Sequence, residues 1–238
     1  MKKVKFVFLV ITCEKNITKL KILIQQKWFT KFMTSKNVEL LIAYGGKNKT
    51  EKKGDYLFLK TPEKMINLSK KLIESFKFIK KNYKFDYLIK CDDDITITNF
   101  SNVIKLFQKR DYSGLIRRTT KQRALLWATK NNLKIDLKKH VEVDYAVGTM
   151  FCLSKKAFYP LLKELPSIVT YNTKYLAGNN DTLIGRAFEK IQKRKNLTKS
   201  TKKEIRFFKN NIKENFDLRK LKLKYLILRI KFFFIKKV

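Results

Sequence analysis

The sequence has few of the residues that interrupt regular structure or cross-link it. Its 238 residues include only 7 glycines, 3 prolines, 3 cysteines and 1 histidine. The scarcity of glycine and proline argues against a long flexible linker, so we expect one large domain or two small ones. Cys13, Cys91 and Cys152 lie in strand-like apolar runs without metal-ligand spacing. Their odd number argues against a disulfide framework and predicts reduced core residues of a cytoplasmic protein.

Acidic residues are also scarce, with 20 Asp and Glu against 56 Lys and Arg and a formal net charge of +36. Such a charge predicts attraction to polyanions, which include nucleic acid, anionic lipid and phosphorylated substrates. Lysine, asparagine, isoleucine and phenylalanine are all abundant, as expected from an A/T-rich genome in which lysine is the default surface residue. The charge alone therefore leaves the partner open.

Long hydrophobic runs are missing too. No segment approaches the roughly 20 uninterrupted apolar residues of a membrane span. The apolar run at residues 6–11 is too short for a signal peptide, and no small-residue cleavage site follows it, so we predict a first buried strand. The hydrophobic fraction of 44%, with 19 Phe and 10 Tyr, is ample for a buried core.

Strand-like and helix-like patterns alternate through the first 90 residues. We predict strands at residues 4–12, 38–46, 55–61 and 85–90, with helices at residues 19–31 and 62–82. This alternation is typical of an α/β domain with a mostly parallel central sheet. In such sheets ligands bind beyond the carboxyl ends of the strands.

The second half changes character. We predict a helix at residues 101–109, a strand in "YSGLIRRT" leading to a basic loop, a strand at 145–154, a helix at 155–165 stopped near Pro166, and a helix at 181–191. Residues 192–238 are interpreted as a basic C-terminal extension. The end, "LKLKYLILRIKFFFIKKV", interleaves bases with bulky apolar residues. It predicts either a segment on an anionic membrane surface or a last element packed on the domain with solvated lysines.

Three consecutive carboxylates end the strand in "FDYLIKCDDDITI". On an extended segment Asp92 and Asp94 point the same way, whereas Asp93 points elsewhere. A divalent cation that prefers oxygen ligands, Mn²⁺ or Mg²⁺, would relieve their repulsion and accept diphosphate oxygens as further ligands. The alternative is a solvated acidic turn with helix-capping duties.

The run "YLIKCDDDITI" resembles the strand and DxD motif of GT-A glycosyltransferases. The closest resemblance is to glycosyltransferase family 31, the group of β-1,3-galactosyltransferases, N-acetylglucosaminyltransferases and fringe proteins. Earlier in the chain, "ILIQQKWF" resembles the I-R-x-T-W element with Trp28 at its tryptophan, and "NLSKK" resembles N-L-T-x-K. The segment "LLWATKNNL" resembles the K-W element, with Trp127.

Two later blocks also resemble that family, in its order. "YAVGTMFCLSKKAF" is similar to Y-x-x-G-x-x-Y-x-L-S, with Tyr145 and Gly148 matching, and "NNDTLIGRAFEK" is similar to D-D-x-T-x-G, with Asp181 and Gly185 matching. The resemblance covers roughly residues 3–191. It implies a Rossmann-like GT-A domain there, followed by the basic extension.

On the donor side, the resemblance implies that Asp94 is the main metal carboxylate, that Asp92 faces the ribose or the water shell of the metal, and that Asp93 helps to position the sugar or the loop. Lys71 and Gln25 would complete the nucleotide site, although Gln25 stands where the family has arginine.

On the acceptor side, the resemblance makes Asp181 the general base. A carboxylate at that place could equally cap a helix, which contributes about 1 kcal/mol. Gly148 would let the backbone approach the donor sugar or the acceptor closely, or be an ordinary strand bulge. Tyr145 and Trp127 would contact the acceptor or fill the core.

Two departures concern the metal and the base. The family's late histidine is missing, because the single histidine, His140, lies upstream of Tyr145, and Asn180 replaces the acid before Asp181.

The expected activity is a metal-dependent, inverting transfer of a hexose from a UDP-sugar to a glycan or lipid-linked acceptor, in polysaccharide biosynthesis. The expected location is the cytoplasm, with peripheral contact at an anionic membrane. The alternatives are a basic nucleic-acid-binding protein, although no recognition motif for a specific nucleic acid is found, and a metal-dependent phosphohydrolase.

Overall fold

The computed structural model describes residues 1–35, 37–64, 67–130, 136, 141–175 and 180–214. These residues form eleven strands and eight α-helices. The strands are β1 (Lys2–Lys3), β2 (Phe6–Ile11), β3 (Val38–Tyr44), β4 (Glu51–Lys53), β5 (Tyr56–Phe58), β6 (Tyr83–Lys84), β7 (Tyr87–Asp92), β8 (Ile95–Ile97), β9 (Tyr112–Arg118), β10 (Asp144–Ser154) and β11 (Ile212–Glu214). The helices are α1 (Ile17–Ile24), α2 (Lys27–Met33), α3 (Leu68–Asn82), α4 (Phe100–Phe107), α5 (Lys121–Lys130), α6 (Lys155–Tyr175), α7 (Asn180–Gln192) and α8 (Lys202–Asn211).

A seven-stranded sheet in the order β4-β5-β3-β2-β7-β10-β9 forms the centre. Strands β5, β3, β2 and β7 are parallel, whereas β4, β10 and β9 run antiparallel to their neighbours. The six residues of β2 are all buried, as expected for a central parallel strand with a continuous apolar run. The predicted α/β class with a mostly parallel central sheet is confirmed.

Helices cover both faces of this sheet. Alternate residues of β2 point to opposite faces, so Val7 and Leu9 join one core and Phe6 and Phe8 join the other. Helices α3, α6 and α7 pack on the first face, and α1, α2, α4 and α8 pack on the second. Cys91 and Cys152 are buried in the second core as predicted, whereas Cys13 is only partly buried.

The helix predicted over residues 19–31 is two helices. The backbone of Gln26 is extended, with φ −68° and ψ 133°, and α2 begins after it. The Gln26 side-chain amide donates a hydrogen bond to the carbonyl oxygen of Ile95 at 2.7 Å. The break between the two helices thus contacts Ile95, the residue directly after the acidic turn. This tertiary contact cannot be predicted from the helical periodicity of the sequence.

Two more predictions about helices are wrong. Helix α6 does not stop near Pro166 but continues to Tyr175, with Pro160 and Pro166 inside it. Each proline removes one backbone hydrogen bond, but Leu165 and Ile168 on either side of Pro166 are fully buried in the core, and this burial favours the continued helix. The segment expected as a basic loop after β9 contains α5.

The described part of the C-terminal extension packs on the domain. Thr201 and Glu204 form a reciprocal capping box at the start of α8, and Glu204 also pairs with Arg110 at 3.1 Å. Phe208 is buried, and β11 pairs with β8. Residues 221–238, to which the membrane-surface hypothesis applies, lie outside the described residues. Among the helices that are described, none combines the length and the apolar character needed to cross a membrane.

A buried carboxylate on β3 joins the central sheet to the small sheet formed by β1 and β6. Glu39 on β3 accepts hydrogen bonds from Lys2 Nζ at 2.5 Å and Tyr83 Oη at 2.8 Å, and it pairs with Lys52 at 3.2 Å. Burial alone would raise the pKa of Glu39, but the hydrogen bonds from Lys2 and Tyr83 and the pairing with Lys52 lower it overall.

Candidate active site

The carboxyl ends of β2 and β7 form the centre of the candidate site. These strands are neighbours in register, with Ile11 opposite Asp92. The chain builds the sheet outward from β2 through β3 and β5, then returns through α3 to place β7 on the other side of β2. The strand order therefore reverses between β2 and β7, and this is the point where open α/β sheets bind ligands.

The three aspartates alternate in exposure. The side chains of Asp92 and Asp94 are 40% and 30% exposed, whereas Asp93 is only 3% exposed. Asp93 accepts hydrogen bonds from Thr12 Oγ1 at 2.5 Å and from Asn16 Nδ2 at 3.4 Å. Burial raises the pKa of Asp93, although the Thr12 hydroxyl opposes this shift. Asp93 thus faces the end of β2, and Asp92 and Asp94 remain accessible.

A fully buried lysine precedes the aspartates. Lys90 Nζ donates to Asp92 Oδ1 at 2.5 Å and to the carbonyl oxygen of Gly148 at 2.6 Å. Burial lowers the pKa of Lys90, but the nearby carboxylates of Asp92 and Asp181 outweigh that effect and raise it overall. Lys90 is therefore a buried cation that links β7 to β10.

Gly148 connects this lysine to the expected base. It lies in an irregular stretch of β10, where the pairing with β9 shifts between Ala146 and Phe151. Its N–H donates to Asp181 Oδ2 at 2.6 Å, and Asp181 is a buried residue in the first turn of α7. A Cβ atom at position 148 would collide with the Asp181 carboxylate, so the close approach requires glycine.

Tyr145 and Gly185 complete the contact between β10 and α7. A Cβ atom at Gly185 would collide with the backbone of Asp144 and the side chain of Tyr145, so this glycine lets α7 lie directly on β10. Burial raises the pKa of Tyr145, and the Asp181 carboxylate raises it further. Of the residues that match in the last two sequence blocks, Gly148 thus contacts Asp181, and Tyr145 and Gly185 hold α7 against β10. Trp127 belongs to α5, but its side chain lies outside the described residues, as does His140.

Lys71 reaches the same edge of the sheet from α3. It is buried, and Nζ donates to the carbonyl oxygen of Thr12 at 2.5 Å and to Glu63 Oε1 at 2.7 Å. Glu63 in turn accepts a hydrogen bond from the N–H of Gly45 after β3. Thr12 therefore contacts both Lys71 and Asp93, which places Lys71 beside the acidic turn.

Gln25 is not brought to the aspartates. It is exposed at the end of α1, and in the part of the chain that the structure describes no hydrogen bond joins it to the acidic turn. The residue of α1 that contacts this turn is Lys19, whose Nζ lies 2.8 Å from Asp94 Oδ2. Along the helix, Lys19 and Gln25 are separated by about 9 Å.

Sequence reasoning missed Lys90, Lys19, Thr12 and Glu63. Only Lys90 carried a readable signal, because a charged residue inside an apolar strand needs a buried partner. The contacts of the other three depend on which strands are neighbours.

The exposed carboxylates fit a hard divalent cation. Asp92 and Asp94 offer oxygen ligands, and Mg²⁺ and similar ions bind through one or two carboxylates together with substrate phosphates. Lys19 already pairs with Asp94 and would compete for that carboxylate. Among the described residues no group of three or more His, Cys, Asp or Glu side chains is arranged to hold a metal.

No family model matches this chain, and no curated protein matches it. Among solved structures, it is similar to a crystal structure of the glycosyltransferase GlyE from Streptococcus pneumoniae TIGR4, at 7% identity and a TM-score of 0.43, over 78% of this chain and 44% of that one. The apo form of the same protein is similar at 7% identity and a TM-score of 0.42, over 83% and 45% of the two chains. The chain thus spans less than half the length of these structures. Likeness at this level does not establish a shared activity.

Proposed function

We propose that this chain is a GT-A-type glycosyltransferase that transfers a hexose from a UDP-sugar to a hydroxyl group of a glycan or lipid-linked acceptor. One observation carries the proposal. Asp92 and Asp181 are 89 residues apart in sequence, yet hydrogen bonds through Lys90 and Gly148 join them at the edge of the sheet where the strand order reverses. A donor site and a base are the two components that an inverting glycosyl transfer needs.

The donor diphosphate belongs at the end of β7. Asp94 and Asp92 would hold Mn²⁺ or Mg²⁺, which supplies Lewis-acid stabilisation of the leaving diphosphate when bound. Lys19 adds a partly exposed ammonium group beside Asp94, placed to pair with phosphate oxygens. Asp93 is turned away, so its role is to hold the acidic turn against β2 through Thr12.

The acceptor belongs beside Asp181. Its carboxylate takes the proton of the acceptor hydroxyl while that oxygen attacks the anomeric carbon, the bond from this carbon to the diphosphate oxygen breaks, and UDP leaves. The Gly148 N–H holds one carboxylate oxygen, which fixes the orientation of the base. Tyr145 flanks Asp181 and would contact the acceptor. The transfer inverts the anomeric centre because the base and the leaving group lie on opposite sides of the sugar.

The test measures UDP release from a panel of UDP-sugars with Mn²⁺, Mg²⁺ or EDTA, together with thermal shifts of the same mixtures. We expect cation-dependent stabilisation by one UDP-sugar, and loss of that dependence in Asp94→Ala. In Asp181→Asn we expect kcat to fall by about 10²–10⁴ with donor binding retained. Asp55→Asn, at an exposed position near β5, is the matched control and should behave as wild type.

Other outcomes would point to the alternatives. Equal turnover in EDTA would contradict the metal dependence. Phosphoester hydrolysis without any sugar nucleotide would identify a phosphohydrolase. Tight, salt-sensitive DNA binding without a response to UDP-sugars would favour a nucleic-acid-binding protein.

A further inference from the structure

A basic groove lies on the first face of the sheet, between α3 and α6. Residues at the end of α3 face Leu162 and Lys163, whereas residues near its start face Pro166 and Val169, so the two helices run antiparallel. The groove consists of two shallow, open depressions of about 430 and 530 Å³ that share Lys77. From Lys70 to Lys81 the α3 side of this α3–α6 groove is about 17 Å long.

Among the described residues that line the α3–α6 groove are six lysines and one carboxylate, for a formal charge of +5. The lysines are Lys60, Lys70, Lys77, Lys80, Lys81 and Lys163. The carboxylate, Glu74, pairs with Lys77 at 2.9 Å. The groove therefore presents a strong excess of positive charge.

Beneath the lysines the groove is apolar. Ile73 and Leu162 form a buried floor, and Pro62, Pro166 and Val169 are at least partly exposed along it. Lysine side chains lay their aliphatic stems along such surfaces and keep the ammonium group in water. A ligand that fits this arrangement has a negative head group joined to an apolar body.

We propose that the α3–α6 groove docks this chain on a membrane by binding the head groups of anionic phospholipids. Lysines near phosphates and apolar side chains near the interface are the two contributions that hold peripheral proteins on such membranes. This surface differs from the C-terminal segment that the sequence pointed to. It stands independently of the proposed transferase activity.

Nucleic acid fits the same groove less well. Single-stranded nucleic acid binds where a basic groove also offers aromatic side chains for base stacking. Among the described residues that line the α3–α6 groove, none is aromatic and none is an arginine. An apolar floor without rings suits a lipid better than a base.

Docking here would bring the candidate active site near the membrane surface. Thr61 lines the groove, and its carbonyl oxygen accepts a hydrogen bond from the N–H of Gly46 at 2.7 Å. Gly46 is the second residue after β3, beside the contact between Gly45 and Glu63 at the carboxyl edge of the sheet. The groove thus opens next to the edge that carries Lys71 and Asp93.

The test compares three full-length variants in co-sedimentation with vesicles of phosphatidylglycerol and phosphatidylcholine. The groove variant replaces Lys70, Lys80, Lys81 and Lys163 by Gln. Its matched control replaces four exposed lysines on the opposite face of the sheet by Gln, which gives the same change of net charge. These are Lys21, Lys31, Lys105 and Lys109. The third variant replaces the basic residues at 219–231 by Gln.

We expect wild type and control to bind anionic vesicles alike and the groove variant to bind about 100-fold more weakly, since each lysine contributes about a fivefold factor before losses from non-additivity. Circular dichroism checks that each variant is folded. The proposal is overturned if wild type ignores phosphatidylglycerol, if groove variant and control weaken equally, or if only the 219–231 variant loses binding. It is also overturned if the groove variant keeps vesicle binding but loses binding to a single-stranded oligonucleotide.

Discussion

Replacing Lys90 by Met tests whether a buried cation holds the two parts of the candidate site together. Methionine keeps an unbranched apolar stem but removes the charge and both hydrogen bonds, to Asp92 and to the Gly148 carbonyl. Removing one partner of a buried ion pair costs about 3–5 kcal/mol. Because the Asp92 side chain is 40% exposed and water can compensate part of this loss, we expect a destabilisation of about 2–3 kcal/mol.

Urea unfolding followed by circular dichroism measures this loss. The double variant Lys90→Met/Asp92→Asn should be less destabilised than the sum of its single variants, because the second change removes the charge that the first leaves uncompensated. Lys105→Met, at an exposed position of α4, should change the unfolding free energy by less than about 0.5 kcal/mol.

The catalytic part of this prediction concerns pH. Lys90 is a positive charge close to Asp181, so its removal should favour the protonated base and move the acidic limb of the kcat/KM profile to higher pH. A merely structural lysine would lower the amount of folded enzyme without moving this limb. The reasoning is refuted if Lys90→Met unfolds at the same urea concentration as wild type and keeps the wild-type pH profile.

Three further variants test individual contacts. Glu39 has a lowered pKa in the folded state, so its stabilisation is present above the unfolded pKa of about 4.3 and is lost as the pH falls through the folded value. In urea titrations from pH 7 to 3, the unfolding free energy should therefore decline less for Glu39→Gln than for wild type. Asp93 has a raised pKa, so its protonated form stabilises the fold at low pH and this contribution is lost as the pH rises. Because asparagine is neutral at every pH, Asp93→Asn should add about 0.5–2 kcal/mol to the unfolding free energy at pH 7, and this advantage should vanish below pH 4. In Gly148→Ala the new Cβ atom collides with Asp181. We expect the unfolding free energy to fall by about 1–3 kcal/mol and UDP release to be lost, and both are measured on the same preparation. An active and stable Gly148→Ala would contradict the close approach of these two residues.

The periodicity of the sequence predicted the strands of the central sheet well and the helices less well. The runs that became β2, β3, β7 and β10 are predominantly apolar because these strands are covered on both faces, and such runs can be recognised locally. Helix α6 passes through Pro166 because packing of its buried face outweighs a local break, and no local rule contains that packing.

The site divides in a similar way. The alternation of Asp92, Asp93 and Asp94 follows from backbone geometry alone, and the exposed, buried, exposed pattern agrees with it. The resemblance to a known family supplied Asp181 and Gly148, and the structure brings them into contact. The same resemblance assigned Gln25 to the nucleotide, which stays a prediction; Gln25 is exposed at the end of α1, and the α1 residue paired with Asp94 is Lys19.

The sequence by itself determined the α/β class, the acidic turn at the end of a buried strand and the strongly basic surface, because composition and periodicity are local properties. Only the tertiary structure decided that β7 lies beside β2, and this adjacency brings Thr12 and Lys71 to Asp93. It also decided that Lys90 bridges Asp92 to Gly148, and therefore to Asp181. The reason is physical: a buried charge must find its partners in space, and the partners of Lys90 are separated by 56 residues of chain.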